Sequence, residues 1–130
     1  GPDELREVAR RFEADTGDRL VFVDTTRRAL AARLTPEYQS GSCHAGRYET
    51  SLILAIRPDL VRAELAAALP EHVVPLAEHI RDGKRGFLEC GMAQAYCGAP
   101  AAATAEEGRA TLATLATLVV EAAEQALAAR

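Results

Sequence analysis

The sequence predicts an α/β layered fold, and three features lead to this prediction. Residues 3–15 carry apolar side chains at the helical spacing i, i+3, i+4, i+7, and Gly17 is placed to end that helix. The run Leu20–Val23 is continuously apolar, which is typical of a strand covered on both faces. Thr104 and Glu107 form a capping-box pattern before a long amphipathic helix. A helix that leads by a short turn into a buried strand indicates an α/β layer, and the last helix is expected to pack across the sheet.

The middle of the chain predicts short elements separated by turns. We expect a strand at 19–24 that ends at Asp24, whose carboxylate either caps a helix that begins at Thr25 or serves a site at the strand end. The remaining expectations are a short helix at 25–34, a break at 35–37, a glycine loop at 41–46, a helix at 50–56 that stops before Pro58, a connector at 70–75, a turn at 83–86, and a short strand plus loop at 87–100.

Composition excludes several classes of protein. The 130-residue chain allows one domain, and its 15 basic and 19 acidic residues argue against the clustered basic face that nucleic acid needs. We expect no membrane span, because no apolar run approaches the roughly 20 residues required, and no signal peptide. Cys43, Cys90 and Cys97 are odd in number and lack a C-x-x-C spacing, so we expect free thiols and a cytoplasmic location.

The segment Gly41–Ser51 combines a histidine, an acid, several hydroxyl side chains and two glycines in a short length. His44 can exchange a proton near neutral pH or bind a metal, and Glu49 can act as a base, an acid or a ligand to a hard cation. Thr50 or Ser51 is placed to cap the following helix. The alternative is a capped helix start that bears a surface histidine. Cys43 is interpreted as a buried small hydrophobe rather than a nucleophile, and His79 as solvated or locally paired.

Two motifs resemble the creatininase family of metal-dependent amidohydrolases. Residues 44–51 resemble the family's H-A-G-x-x-E-T-S segment, and residues 96–108 resemble its Y-x-G-x-P-x-x-A-T-x-E-x-G segment, in the same order. The resemblance covers nearly the whole chain. It implies a three-layer α/β/α sandwich with a mainly parallel sheet. It also implies hydrolysis of C–N bonds in cyclic or linear amides with one or two divalent metals, such as zinc, manganese or iron.

The resemblance also implies that residues 1–130 are the C-terminal half of a single creatininase-like domain. The family's E-x-H-G-x-H-L-P and N-G-H-G-G-N segments, which carry most metal ligands, have no counterpart in this sequence. We therefore expect most metal ligands to lie outside this chain. The implied partners are the N-terminal half of the same enzyme, as a separate or nicked chain or as a further segment of the same polypeptide, and further copies in a homo-oligomer. The alternative is a non-catalytic α/β subunit that has lost the metal site.

The resemblance assigns roles to five residues. Glu49 would complete the metal shell or orient the attacking water, and His44 would polarise the substrate or protonate the leaving nitrogen. Arg47, Tyr48 and Tyr96 would line the pocket for a small-molecule amide. Arg47 would meet an anionic substrate or simply be solvated, and Tyr96 would otherwise be a packed aromatic. The substrate itself stays open among creatinine, a formamide, a peptide bond in a maturing cofactor, and a sugar-derived lactam or lactone.

Overall fold

The computed structural model describes residues 2–129, and within them the chain is helical. Two short 3-10 helices, Pro58–Leu60 and Pro100–Ala102, each begin at a proline. The α-helices in this range are α1 (Pro2–Thr16), α2 (Arg28–Ala31), α3 (Pro36–Ser40), α4 (Arg47–Ile56), α5 (Ala63–Ala68), α6 (Leu76–Arg81) and α7 (Ala105–Ala128).

The predicted three-layer α/β/α sandwich with a mainly parallel sheet is wrong for this structure. No strand forms in residues 2–129, where an isolated antiparallel bridge joins His72 and Gly98. The segment predicted as a strand, 19–24, has no regular secondary structure, and Leu20 and Val21 are 47% and 42% exposed. A single apolar run cannot make a sheet, because its backbone groups need a neighbouring strand. The segment 87–100 contains turns instead, with positive φ at Gly91, Ala95 and Gly98.

Several predicted boundaries also move. The helix expected at 25–34 shortens to α2, and the break expected at 35–37 is instead the start of α3. Thr35 accepts the Tyr38 amide and Pro36 occupies the first helical position, an arrangement that favours helix initiation. The helix expected from Thr50 begins three residues earlier, at Arg47. The predicted ends at Gly17 and before Pro58 are confirmed.

The described chain divides into two compact units. The first comprises the chain up to Arg33 together with the part from Thr114 onward, and the second comprises Leu34–Ala113. In the first unit, Arg6 pairs with the buried Asp24, whose carboxylate also accepts the backbone and hydroxyl groups of Thr26. Asp24 therefore stabilises a turn before α2 and does not cap a helix, because the N-cap of α2 is Arg27. Arg33 and Glu121 form a two-bond ion pair at 2.5 and 3.1 Å.

The second unit contains both motif segments and has a small, sulfur-rich core. Val74, Cys90, Met92 and Cys97 are buried together, and Leu76 packs against them. The three cysteines are free thiols, as predicted. Gly108 brings α7 against α4 so closely that a Cβ atom there would overlap the Ser51 carbonyl.

Helix α7 is long and apolar. An 18-residue window in it has a mean hydropathy of 1.2, so this helix alone in the described range could cross a membrane by length and composition. Core helices of soluble proteins meet the same criterion, although only 11% of this window is buried here. The expectation of no membrane span stays a prediction.

Candidate functional site

The motif loop is fixed at both ends by helix termini. Gly41 ends α3 with φ of +74°, a left-handed conformation that glycine adopts without strain, and Gly46 is the N-cap of α4. Between them, the buried hydroxyl of Ser42 accepts the Val74 amide at 2.9 Å. The loop 42–46 is therefore attached to the core of its unit rather than free in solution.

His44 is held through its backbone and through one aromatic contact. The Cys97 amide donates to the His44 carbonyl oxygen at 2.8 Å, and the His44 amide lies 3.4 Å from the Cys97 sulfur. The imidazole stacks at a tilt on Phe87, with the ring centroids 4.5 Å apart. These contacts join the first motif to the second, while the half-buried imidazole keeps access to solvent.

Glu49 lies in the first turn of α4 and is exposed. Its Oε2 atom accepts the Ala45 amide at 2.7 Å, so the carboxylate closes the loop that precedes its own helix. Ala45 has a positive φ of 50°, which is uncommon for a residue with a Cβ atom. A carboxylate near a helix N-terminus is also stabilised by the helix dipole. Glu49 thus supports the loop and remains accessible to a ligand.

Glu37 is a component of this region that the sequence patterns do not single out. Its Oε1 atom accepts the Tyr48 amide at 2.8 Å, and its Oε2 atom accepts the Ala99 amide at 2.7 Å. It therefore connects the start of α4 to the second motif. An acid directly after Thr35-Pro36 is a signal for a helix start, but nothing in that signal identifies the amides that the side chain reaches.

Cys43 lies in the same loop, but its thiol is poorly suited to nucleophilic attack. Burial raises the pKa of this thiol to about 11, and the nearby Glu49 carboxylate acts in the same direction. Because the thiolate is the nucleophilic form, the thiol is largely unreactive at neutral pH. The interpretation of Cys43 as a buried small hydrophobe agrees with this environment.

The three predicted pocket residues each contact different partners. Arg47 forms an ion pair with Glu107, whose Oε1 atom is buried with no hydrogen-bond partner among the described residues. Tyr48 is buried against Tyr38, with ring centroids 4.9 Å apart, and burial raises its pKa to about 12. Tyr96 is buried, donates to the Pro70 carbonyl at 2.8 Å and borders a hollow of about 250 Å³. Their contact with substrate remains a prediction.

An apolar groove of about 700 Å³ adjoins Glu49. Its size is within the range of small-molecule sites, which are mostly apolar with a few polar groups. Glu49 and Arg62 are the charged groups in its wall. The other lining residues are Ala45, Thr50, Leu52, Ile53, Leu60, Val61, Leu65, Ala66, Leu69 and Pro100.

The residues of this region do not form a metal site by themselves. Across residues 2–129, no group of three or more His, Cys, Asp or Glu side chains is arranged to hold a metal ion. Three or four protein ligands are usual for a zinc site. Glu49 is accessible and is suited to contribute one oxygen ligand, which is insufficient alone.

His79, considered above as solvated or locally paired, lies with Nδ1 2.9 Å from the Lys84 ammonium.

An accessible imidazole on the anchored loop and an accessible carboxylate in the first turn of α4 are side chains of the kind that hydrolases use. Comparison with known proteins agrees with this class. The family model described as creatinine amidohydrolase matches residues 2–123, and the chain therefore belongs to the creatininase family. Neither a curated protein nor a solved structure matches the chain. Membership in this family indicates a hydrolase, and specifically amidohydrolase activity, in a family that is typically metal-dependent.

Proposed function

We propose that this protein hydrolyses the C–N bond of a small-molecule amide, with His44 and Glu49 as its catalytic residues. One observation supports this assignment most directly. In the loop and first turn of α4, Ser42, Tyr48 and Ser51 are buried, whereas Glu49 is exposed and His44 is partly exposed. Both side chains suited to proton transfer are thus accessible to a substrate, as is the neighbouring Arg47.

The roles follow from the chemistry of amide hydrolysis. Water adds to the carbonyl carbon and must lose a proton, which an accessible carboxylate such as Glu49 can accept. The C–N bond then breaks, and the departing nitrogen needs a proton, which the His44 imidazole can supply. The products are a carboxylic acid and an amine. The stacking contact with Phe87 limits the orientations of the imidazole and so favours one direction of proton delivery.

A divalent metal is part of this proposal, with zinc, manganese or iron as the candidates. Because the described residues lack a metal cluster, most ligands must come from outside them. We propose the N-terminal half of a creatininase-like domain, as a separate or nicked chain, as their source, and a homo-oligomer as the assembled state. Large exposed apolar side chains fit such an assembly, since Val73 and Leu88 are 73% and 78% exposed.

The substrate is proposed to place its apolar part in the groove beside Glu49. Leu52, Leu60 and Leu65 supply apolar walls there, and Arg62 can pair with an anionic substituent. A substrate with an apolar ring or chain would bury that surface on binding, which contributes about 25 cal/mol per Å². Small amides without such a group would bind more weakly.

The missing metal ligands favour one alternative, a non-catalytic subunit. These possibilities are separated by assaying the intact protein, as purified with its partners, against a panel of amides and lactams with added zinc or manganese. Amine release that is lost in His44→Ala and kept in Glu124→Gln, a change at an exposed residue of α7, supports the enzyme. If wild type releases no amine and no co-purifying polypeptide carries the missing ligands, the non-catalytic reading replaces it.

A further inference from the structure

The Glu37 carboxylate joins two segments that are distant in sequence. One oxygen accepts the amide of Tyr48, at the start of α4, and the other accepts the amide of Ala99, in the second motif segment. The distances are 2.8 and 2.7 Å, in the range of strong charge-assisted hydrogen bonds. Both donors are backbone groups, so the carboxylate fixes the path of the main chain rather than one side chain.

Two glycines leave the space that this carboxylate occupies. A Cβ atom at Gly46 would lie 2.5 Å from Glu37 Oε1 and from the Cys97 carbonyl oxygen. A Cβ atom at Gly98 would overlap the Glu37 carboxylate and lie 2.8 Å from the Ser42 carbonyl oxygen. Gly98 also has φ of +100°, which other residues rarely adopt. The site is therefore shaped around an acidic side chain at position 37.

The position of Glu37 is itself fixed by the helix that carries it. It lies in the first turn of α3, after the cap of Thr35 and the ring of Pro36. The amide of Tyr48 belongs to the first turn of α4, where backbone N–H groups lack partners within the helix. A negative charge there both satisfies a free donor and interacts favourably with the dipole of α4.

We propose that Glu37 is a positioning residue that sets the geometry between His44 and Glu49, an inference that rests on the function proposed above. Tyr48 directly precedes Glu49, and Ala99 lies two residues after Cys97, whose amide binds the His44 carbonyl. The Glu37 carboxylate and the His44–Cys97 contact thus tie the same two segments at two points. Removing Glu37 removes both of its hydrogen bonds, while the contacts of His44 with Cys97, Arg47 with Glu107 and Ser51 with Thr104 remain, and it lets the first turn of α4 shift against the second motif.

The first test measures the two hydrogen bonds of the Glu37 carboxylate without reference to catalysis. Glu37→Gln retains one acceptor oxygen but places an NH₂ donor toward the second amide. We expect hydrogen exchange to quicken by about tenfold or more at Tyr48 or Ala99, as loss of one such bond implies. The Val74 amide, which is bonded to Ser42, serves as the internal reference. Unchanged exchange at both amides, in a folded variant, would overturn the proposal.

The second test measures whether Glu37 affects the rate through His44 and Glu49. In the intact enzyme, Glu37→Gln is expected to lower kcat by about 10²-fold with a small change in KM, because misplacement of reacting groups costs rate of this order. In a His44→Ala background the same change should cost much less, since there is no proton donor left to misplace. Glu124→Gln is the matched control.

The outcomes separate the two proposals. Equal losses from Glu37→Gln in both backgrounds would mean that Glu37 acts only on folding, and would overturn the positioning role. A wild-type enzyme that hydrolyses no amide would overturn the proposed function, and the exchange measurement would then decide alone whether Glu37 ties the two segments. Rescue of rate by Glu37→Asp is not expected, because the shorter side chain cannot reach both amides.

Discussion

His44 is held by its own backbone and by the ring of Phe87, whereas Glu49 is held by the amide of Ala45. The two residues therefore depend on different contacts, and substitutions at each have separable structural effects. Replacement of Glu49 by Gln keeps an acceptor oxygen for the Ala45 amide, while replacement by Ala removes it. Comparing the two distinguishes support of the loop from chemistry.

We predict that Glu49→Gln and Glu49→Ala lower turnover alike but differ in stability. Turnover should fall by about 10²–10⁴-fold in both, the usual size of an acid–base contribution. Glu49→Ala should also lower the free energy of unfolding by about 1 kcal/mol, the typical worth of a hydrogen bond, and Glu49→Gln by less. Urea unfolding and steady-state rates on the same samples check this. Full activity in Glu49→Gln would contradict the role of the carboxylate.

A second prediction at this scale concerns pH. Burial raises the pKa of Cys43 from 9.0 to about 11, so the folded protein holds the thiol proton more tightly than the unfolded chain does. That contribution to stability is complete below pH 9 and is lost as the pH rises toward 11. Cys43→Ala should therefore lose less stability than wild type across this range. Some loss should remain in Cys43→Ala, because the pKa of Tyr48 is raised in the same direction. The measurement is the free energy of unfolding against pH for wild type and Cys43→Ala. Parallel curves for the two proteins would refute the contribution of Cys43.

At the scale of elements, α4 and α7 meet where a glycine allows the closest approach. An added Cβ at Gly108 would overlap the Ser51 carbonyl and lie 2.8 Å from the Ala55 Cβ. Ser51 is fully buried, and its hydroxyl accepts the Thr104 amide at 3.0 Å just before α7. The Thr104 hydroxyl in turn accepts the Glu107 amide, which confirms the cap predicted from the sequence.

For Gly108→Ala, the sign of the change in the free energy of unfolding shows whether α4 and α7 are in close contact. Alanine in a helix is intrinsically favoured over glycine by about 1 kcal/mol, so an open site would be stabilised. Here the close contact should instead destabilise the protein by about 1–3 kcal/mol, the usual cost of overpacking. Gly86→Ala is the control for added volume, since the nearest atom to its Cβ would lie 3.9 Å away. Stabilisation by Gly108→Ala would show that the two helices do not meet as described.

The helix ends show how far sequence patterns reach. Local signals located α1, the end of α4 and the cap of α7, because the residues that decide them are neighbours in sequence. The sequence predicts that α4 starts at Thr50, whereas it starts at Arg47. Its first turn is satisfied in part by Glu37, a residue of another helix, and no local pattern contains that contact.

At the scale of the whole molecule, the predicted sheet is absent from residues 2–129 for a similar reason. An apolar run such as Leu20–Val23 indicates that a segment favours burial. Strand pairing depends on a second strand, which the run itself does not reveal. His44 lies in the predicted loop, Glu49 lies in the first turn of α4, and Arg47, Tyr48 and Tyr96 make separate contacts. The roles of these five residues in a site stay predictions. Metal ligands cannot be read from a sequence that lacks the motifs which would carry them.

We predict that this 130-residue chain, purified alone, binds zinc weakly and releases no amine from amides. The described residues supply no set of three ligands, and a metal site that is incomplete gains little binding energy. Equilibrium dialysis with metal analysis, on material of verified mass, measures the stoichiometry. One zinc held tightly per lone chain would contradict the proposal that ligands come from a partner.

The most direct test of the proposed chemistry is a set of pH–rate profiles for amide hydrolysis by the assembled enzyme, with metal content measured for every variant. We expect His44→Ala to lose about 10²–10⁴-fold in rate, with metal content unchanged and with partial recovery on substrates that have better leaving groups. Glu49→Gln should lose a similar factor, with partial recovery at higher pH or with excess metal, and Cys43→Ala should keep nearly full activity. An inactive Cys43→Ala beside active His44→Ala and Glu49→Gln would contradict the account and indicate a thiol mechanism.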